Sequence, residues 1–294
     1  MEEIDKIIEQ FILDLGYELA AKMFENISSG KKLRSKLILK IAGNNKSAFL
    51  LCAIVELVHL ASLLHDDVID ESDTRRGQAS INAKFGAKNA IMLGDILYSK
   101  AFYEVSKFDA KISQIISDAV CKLSIGELMD VEMGLKFNSD KEKYLQMIYN
   151  KTAVLIEAAS RSAAILGGLE SKKYAQYGKN LGLAFQIVDD ILDITSDQTQ
   201  LGKPAMHDFK EGKTTLPYIL LYESLADNEK IVLKDLFKKD LGEFELSWLR
   251  DKFKQNDIIS KTSTIANEYG KKAIEAVDNS DLREIVKSMI DREF

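Results

Sequence analysis

Residues 47–70 read SAFLLCAIVELVHLASLLHDDVID, and the fold turns on how this run is interpreted. It is apolar enough to suggest a membrane span, but Glu56 and His59 interrupt it and it ends in acidic residues from Asp66 onward. A helix from Ser47 to Ile69 would be roughly 33 Å long at the usual rise per residue, about a domain diameter. A helix of that length, apolar on all sides and ending in carboxylates, is expected to be the central buried helix of a water-soluble protein.

The rest of the chain agrees with this reading. Only two prolines, Pro204 and Pro217, occur among 294 residues, so helices can run unbroken almost everywhere. Apolar residues at Ile4, Ile7, Ile8, Phe11, Ile12 and Leu15 keep one face of a first helix apolar. Further helical patterns cover about Ser80 to Val105, Lys111 to Met133, Lys141 to Leu166 and Lys172 to Thr195. Shorter helices are expected around Ile219, Ile231, Leu246 and Ile265, with a last one through Leu282, Ile285, Val286, Met289 and Ile290. No segment shows the sustained alternation of an exposed strand. The expected fold is all-α, with residues 1–294 as a single domain, since no Gly-, Ser- or Pro-rich linker divides the chain.

Composition narrows the function. With 40 basic and 46 acidic side chains the formal charge is −6, which disfavours a general nucleic-acid binder, although a local basic cluster can still hold a polyanion. Cys52 and Cys121 both lie in apolar helical patterns and are expected to be buried thiols in a reducing compartment. The acidic N-terminal stretch MEEIDKIIEQ lacks the basic region of a secretory signal, so cytoplasmic residence is expected.

Two carboxylate clusters carry the chemical signal. In HDDVID, Asp66 and Asp70 are one helical turn apart and Asp67 is three residues from Asp70; DDILD repeats the spacing with Asp189, Asp190 and Asp193. One such cluster reads naturally as a solvated helix end. Two with the same spacing, each entered from an apolar helix, point to a shared task. Crowded carboxylates repel unless protonated or neutralised, and Mg2+ suits them because diphosphate oxygens can share its coordination shell. An EF-hand is disfavoured, since neither cluster has the loop ligands and central glycine of that motif.

Basic residues flank both clusters. Lys31, Lys32 and Arg34 precede the first, Arg75 and Arg76 follow it in DESDTRRG, and Lys203 and Lys213 follow the second. Singly, each reads as surface charge. Arg75 and Arg76, however, lie where a turn can return them to the acidic end, and His59 lies two turns before Asp66 on nearly the same helix face. An acidic metal platform facing a cationic rim suits a diphosphate. The polar stretch from Thr195 to Thr215 reads as a loop that covers such a site.

LLHDDVIDESDTRRG, FQIVDDILD and GKKLR, in the order found here, closely resemble the trans-isoprenyl diphosphate synthase (polyprenyl synthetase) family over nearly the whole chain. The resemblance implies a helical bundle around a deep apolar cavity, usually a homodimer. It implies magnesium at Asp66, Asp70, Asp189, Asp190 and Asp193, with Asp67 in support, and isopentenyl diphosphate at Lys31, Arg34, His59 and Arg76. It assigns Arg75, Lys151, Thr152, Gln186, Lys203 and Lys213 to positioning the allylic diphosphate. The implied reaction ionises that substrate, and the double bond of isopentenyl diphosphate attacks the allylic cation.

Three positions depart from the family pattern: Ser35 replaces a proline, Met206 a glycine, and Asp130, ending GELMD, a glutamine. Ala61 and Ser62 stand about one turn before Asp66, where short-chain members carry bulky aromatics. Together with the absence of a two-residue insertion in the first cluster, they resemble the long-chain, quinone-precursor branch, octaprenyl diphosphate being the leading expectation. Leu123 and Leu128 are candidates for a tunnel floor, though ordinary core packing is the plainer expectation for each. Competing readings are a farnesyl or geranylgeranyl diphosphate synthase, a terpene cyclase, and a noncatalytic prenyl-diphosphate-binding subunit. No stable membrane insertion is expected, though a long product allows transient membrane contact.

Overall fold

The computed structural model describes residues 1–28, 30–195 and 206–290, which form two compact units. One comprises Met1–Ser124 and Leu155–Gly178, the other Ile125–Val154 and Lys179–Phe294. Helices α7 (Ala110–Met133) and α10 (Ser171–Thr195) contribute residues to both.

In the first unit the apolar run forms α4 (Lys46–Ile69), started by the Asn45 side chain, which accepts from the Ala48 N–H at 2.9 Å. It packs against α1 (Glu2–Leu13), α3 (Leu33–Ala42) and α6 (Ala87–Val105). Among the described residues α4 alone is long and apolar enough to cross a membrane, yet 61% of its most apolar window is buried in the fold. Burying that surface is what drives this packing. On α1 the buried residues are Ile4, Ile8, Phe11 and Ile12, the spacing of one helix face. A short α2 (Glu18–Phe24), not expected from the sequence, follows α1.

The helix expected over Ser80 to Val105 is two: α5 (Ile81–Phe85) and α6, broken at Gly86, whose φ of +85° no L-residue adopts comfortably. The strands among the described residues are Thr74–Arg75 and Gln78–Ala79, an antiparallel hairpin turning through Arg76 and Gly77, both at positive φ. That is the twist a two-residue hairpin loop requires. Cys52 is buried as expected, but Cys121 is exposed because it faces away from the packed side of α7; both are free thiols.

The second unit corrects the expected continuous helix from Lys141 to Leu166. Helix α8 (Lys141–Ile148) passes into a π-helical turn, Tyr149–Ala153, before α9 (Val154–Leu166). A π-turn widens one turn of helix, shifts the helical phase and re-aims side chains. Two glycines let neighbouring helices close on it. A Cβ at Gly126 of α7 would lie 2.3 Å from the Lys151 backbone nitrogen, and one at Gly182 of α10 would lie 2.5 Å from the Ala153 Cα.

Tyr144, Ile148, Leu183, Ile187, Leu216 and Ile219 form one core of this unit. A second core centres on Phe209 and Tyr218, whose rings stack at 4.1 Å, with Leu233, Leu249 and Phe253 around them. The remaining helices among the described residues are α11 (His207–Glu211), α12 (Leu216–Ser224), α13 (Asp227–Leu236), α14 (Glu243–Gln255), α15 (Ile258–Ala276) and α16 (Ser280–Ile290). Pro217 lies in the first turn of α12, where a missing N–H costs no helical hydrogen bond.

Candidate active site

In the first unit Asp66, Asp67 and Asp70 occupy the C-terminal end of α4. This is an unfavourable place for anions, because the helix carbonyls already make that end negative. The hairpin supplies the compensation: Arg75 Nε and Nη2 both donate to Asp67 Oδ1 at 2.7 Å, and Nη2 lies 3.6 Å from Asp66 Oδ2. Asp67 is buried, which pushes its carboxyl pKa up, while Arg75 opposes that shift. Asp66 remains 22% exposed and Asp70 caps the helix. The adjacent His65 ring lies over Gly94 of α6, where any Cβ would sit 2.3 Å from its Nε2, and this contact ties the acidic end to the neighbouring helix.

Arg76 turns the other way. Its Nη1 donates to the Ser28 carbonyl at 3.0 Å, and its guanidinium lies so close to Gly30 that a Cβ there would fall 2.7 Å from Nη2. Glycine at this position lets the guanidinium pack directly against the backbone. His59 is enclosed nearby, and its pKa is lowered well below 6.5 by burial and by the charges of Arg34, Arg76 and Arg75. The structure thus brings together His59, Arg34, Arg75 and Arg76. Lys31 is exposed, whereas Lys32, held in the left-handed region, pairs with Asp5 of α1 and is turned to a structural use. A cleft of about 30 Å³ is lined by Ile27, Leu60, Leu64, Asp67, Arg75 and Arg76, joining apolar and cationic walls.

In the sequence Glu56 is only an interruption of an apolar run. In the structure it is buried, accepts the Ser35 hydroxyl at 2.6 Å, and its charge stabilises the protonated form of Arg34 against the cost of burial. The serine that replaces the family proline therefore has a defined partner. Ala61 is fully buried, and Ser62 turns its hydroxyl back to the His59 carbonyl at 2.8 Å. Of the two floor candidates, Leu123 is buried, while Leu128 is 71% exposed in the isolated chain.

In the second unit the π-turn presents Lys151 and Thr152. Lys151 Nζ is held by Asp130 at 2.5 Å and Glu127 at 3.0 Å, so the aspartate that departs from the family pattern anchors this lysine. Thr152 Oγ1 donates to Gln186 Oε1 at 2.8 Å, and Gln186 Nε2 donates to Asp190 Oδ1 at 3.0 Å. Asp190 is buried and also accepts the Tyr144 hydroxyl; burial raises its pKa well above the carboxylate range. Asp189, the preceding residue, is exposed.

Asp193 has its pKa pushed up to about 8, first by burial and then by the Asp208 charge, although the backbone N–H groups of Asp208 and His207 oppose the shift. Lys213 pairs with Glu211 at 3.2 Å. Lys203 and most of the expected covering loop, residues 196–205, lie outside the described residues; the loop's C-terminal part contains α11.

The donor set fits a hard divalent cation. Among the described residues no three acidic, imidazole or thiol side chains converge on one point to hold an ion unaided. Mg2+ does not require that, because it is commonly held by one or two carboxylates and completes its shell with water and substrate phosphate oxygens. Asp193 accepts the Asp208 N–H at 3.4 Å, and burial together with the charges of Asp208 and Asp189 disfavours its ionised form, a cost that a cation would relieve.

A polyprenyl synthetase family profile matches residues 17–246. The chain belongs to the polyprenyl synthetase family. It is 47% identical to the octaprenyl pyrophosphate synthase of Helicobacter pylori in a structural match with TM-score 0.94, covering 99% of this chain and 98% of that one. The geranylgeranyl diphosphate synthase of Sulfolobus acidocaldarius is 35% identical over 89% of this chain and 83% of its own. A polyprenyl synthase of Caulobacter crescentus, solved with calcium and isoprenyl diphosphate, is 30% identical with TM-score 0.85, covering 98% of this chain and 92% of that one. The protein is thus a trans-prenyltransferase, a prenyl diphosphate synthase of a family that uses a divalent metal and prenyl diphosphate substrates. The relatives' names span several product lengths.

Proposed function

We propose that this enzyme is a magnesium-dependent long-chain synthase that elongates farnesyl diphosphate with isopentenyl diphosphate to octaprenyl diphosphate, a quinone precursor. The observation that carries the length is the pair Ala61 and Ser62, small residues on α4 just before Asp66, where a growing hydrocarbon needs room. The 47% identity to an octaprenyl pyrophosphate synthase supports it. A geranylgeranyl product is the second reading, favoured by the Sulfolobus relative.

In this reading Asp66, Asp70, Asp189 and Asp193 offer carboxylate oxygens to Mg2+, with Asp67 and Asp190 in support. Bound magnesium would stabilise negative charge on the departing diphosphate. Arg75, Lys151, Thr152, Gln186, Lys203 and Lys213 orient the allylic diphosphate, Arg75 and the lysines adding positive charge where the C–O bond breaks. Lys31, Arg34, His59 and Arg76 hold isopentenyl diphosphate. Its double bond attacks the allylic cation, and the proton lost as the alkene is restored passes to the released diphosphate. His59, kept neutral by burial and then by its cationic neighbours, can donate a hydrogen bond to a phosphate oxygen without adding charge. Apolar walls exclude the water that would trap the cation.

The enzyme is further proposed to act as a cytoplasmic homodimer, without stable membrane insertion and without nucleic acid, touching the bilayer only as product leaves. Replacing Ala61 with phenylalanine tests the length assignment. The variant should still condense the two substrates but stop at farnesyl or geranylgeranyl length, as read from product masses. An unchanged product distribution would remove Ala61 from the length-determining wall.

A further inference from the structure

The two leading aspartates of DDILD do opposite things. Asp189 is exposed, whereas Asp190 is buried with both carboxylate oxygens occupied, Oδ2 by the Tyr144 hydroxyl and Oδ1 by Gln186 Nε2 at 3.0 Å. Tyr144 is fully buried, and its hydroxyl proton is directed to Asp190 Oδ2. Beyond Gln186 the line continues: the amide oxygen accepts Thr152 Oγ1 at 2.8 Å. Tyr144, Asp190, Gln186 and Thr152 thus form one hydrogen-bonded line through α8, α10 and the π-turn.

An amide between two such partners has one orientation. The carboxylate takes the NH2 group, which turns the carbonyl to the hydroxyl of Thr152 and leaves the second N–H of Gln186 to give to another acceptor. The chain's own geometry therefore makes Asp190 an acceptor for Gln186. Burial and one donor on each oxygen fix the Asp190 carboxylate against Tyr144 and Gln186, while Asp189 is the exposed member.

We propose that Tyr144 is a positioning residue for the allylic substrate, fixing the Gln186 amide through Asp190, and that Asp190 serves this line and not the metal. The inference rests on the reading of Gln186 and Thr152 as contacts of the allylic diphosphate. Tyr144 was not singled out in the sequence, where it is one apolar-face residue of an expected helix.

The test is calorimetric binding of farnesyl diphosphate in the presence of Mg2+ and in the absence of isopentenyl diphosphate, together with steady-state KM values and Tm. Tyr144→Phe removes one oxygen from a buried site. It should weaken farnesyl diphosphate binding and raise its KM by about tenfold, the scale of one buried hydrogen bond, with the KM for isopentenyl diphosphate held within about twofold. Its Tm should move by no more than about 3 °C.

In a double-mutant cycle, Gln186→Ala should cost less in the Tyr144→Phe background than alone, since both cut the same line. Asp190→Asn provides a second variant that keeps shape. It should leave the magnesium concentration for half-maximal binding within about twofold of wild type, whereas Asp189→Asn should raise it by about tenfold or more.

Wild type that binds no farnesyl diphosphate would overturn the functional reading itself. Wild-type binding matched by Tyr144→Phe, additive cycle energies, or equal increases in both KM values would overturn the positioning role alone. A loss of magnesium dependence in Asp190→Asn equal to that in Asp189→Asn would make Asp190 a ligand after all.

Discussion

DDVID and DDILD have the same spacing, but the protein treats them differently. The first is a helix end that would be electrostatically unfavourable on its own; Arg75 from the hairpin offsets its charge, and Asp67 is the buried, ion-paired member. Among the described residues the second has no such arginine contact on its buried member. Asp190 is held by neutral donors, the phenol of Tyr144 and the amide of Gln186, while Asp193 takes backbone N–H groups. The buried member is balanced by charge in one cluster and by hydrogen bonds in the other. Equal spacing in the sequence therefore does not mean equal roles for equal positions.

The largest effect is expected where the clusters act alike. Asp66→Ala and Asp189→Ala should each lower turnover by about 1000-fold, with Tm near that of wild type, because both side chains are at least partly exposed and serve charge developing in the transition state. Unequal losses, with one variant close to wild type, would show that only one platform participates in ionisation.

A smaller effect sharpens the contrast. Arg75→Met leaves Asp67 buried without its cation and should cost about 2 kcal/mol in stability, measured by denaturant unfolding. Tyr144→Phe, which removes a neutral donor while the Gln186 bond remains, should cost about 1 kcal/mol or less in the same experiment. Equal costs would mean that the clusters are not balanced by different means.

Much of this was legible in the sequence. The apolar run of α4, the helical spacing of α1, α7 and α10, and the short C-terminal helices follow from periodicity, because each must bury one face or, for α4, nearly all of it. Arg75 and Arg76 were placed near the first cluster by a turn, and the structure supplies that turn as a hairpin.

What escaped has a physical cause in each case. Periodicity cannot register a π-turn, since the apolar pattern resumes one step out of phase after Ala153. Gly126 and Gly182 were the available signal, two small residues in helices at positions where backbones approach closely. Glu56 and Tyr144 were hidden because a buried polar residue and an apolar-face tyrosine look the same in a hydropathy pattern, whatever their partners. Gly86 could have marked the break between α5 and α6, but a lone glycine in a helical pattern is often tolerated. Cys121 shows the same limit from the other side, an apolar residue left on an exposed face.

The most direct test of the account is the mass distribution of products formed by the purified enzyme from farnesyl diphosphate and excess isopentenyl diphosphate, with and without Mg2+. The account predicts octaprenyl diphosphate as the end product, formed only with the metal. Termination at geranylgeranyl diphosphate would contradict the long-chain assignment while leaving the chemistry intact, and binding of both substrates without any elongation would contradict the account as a whole.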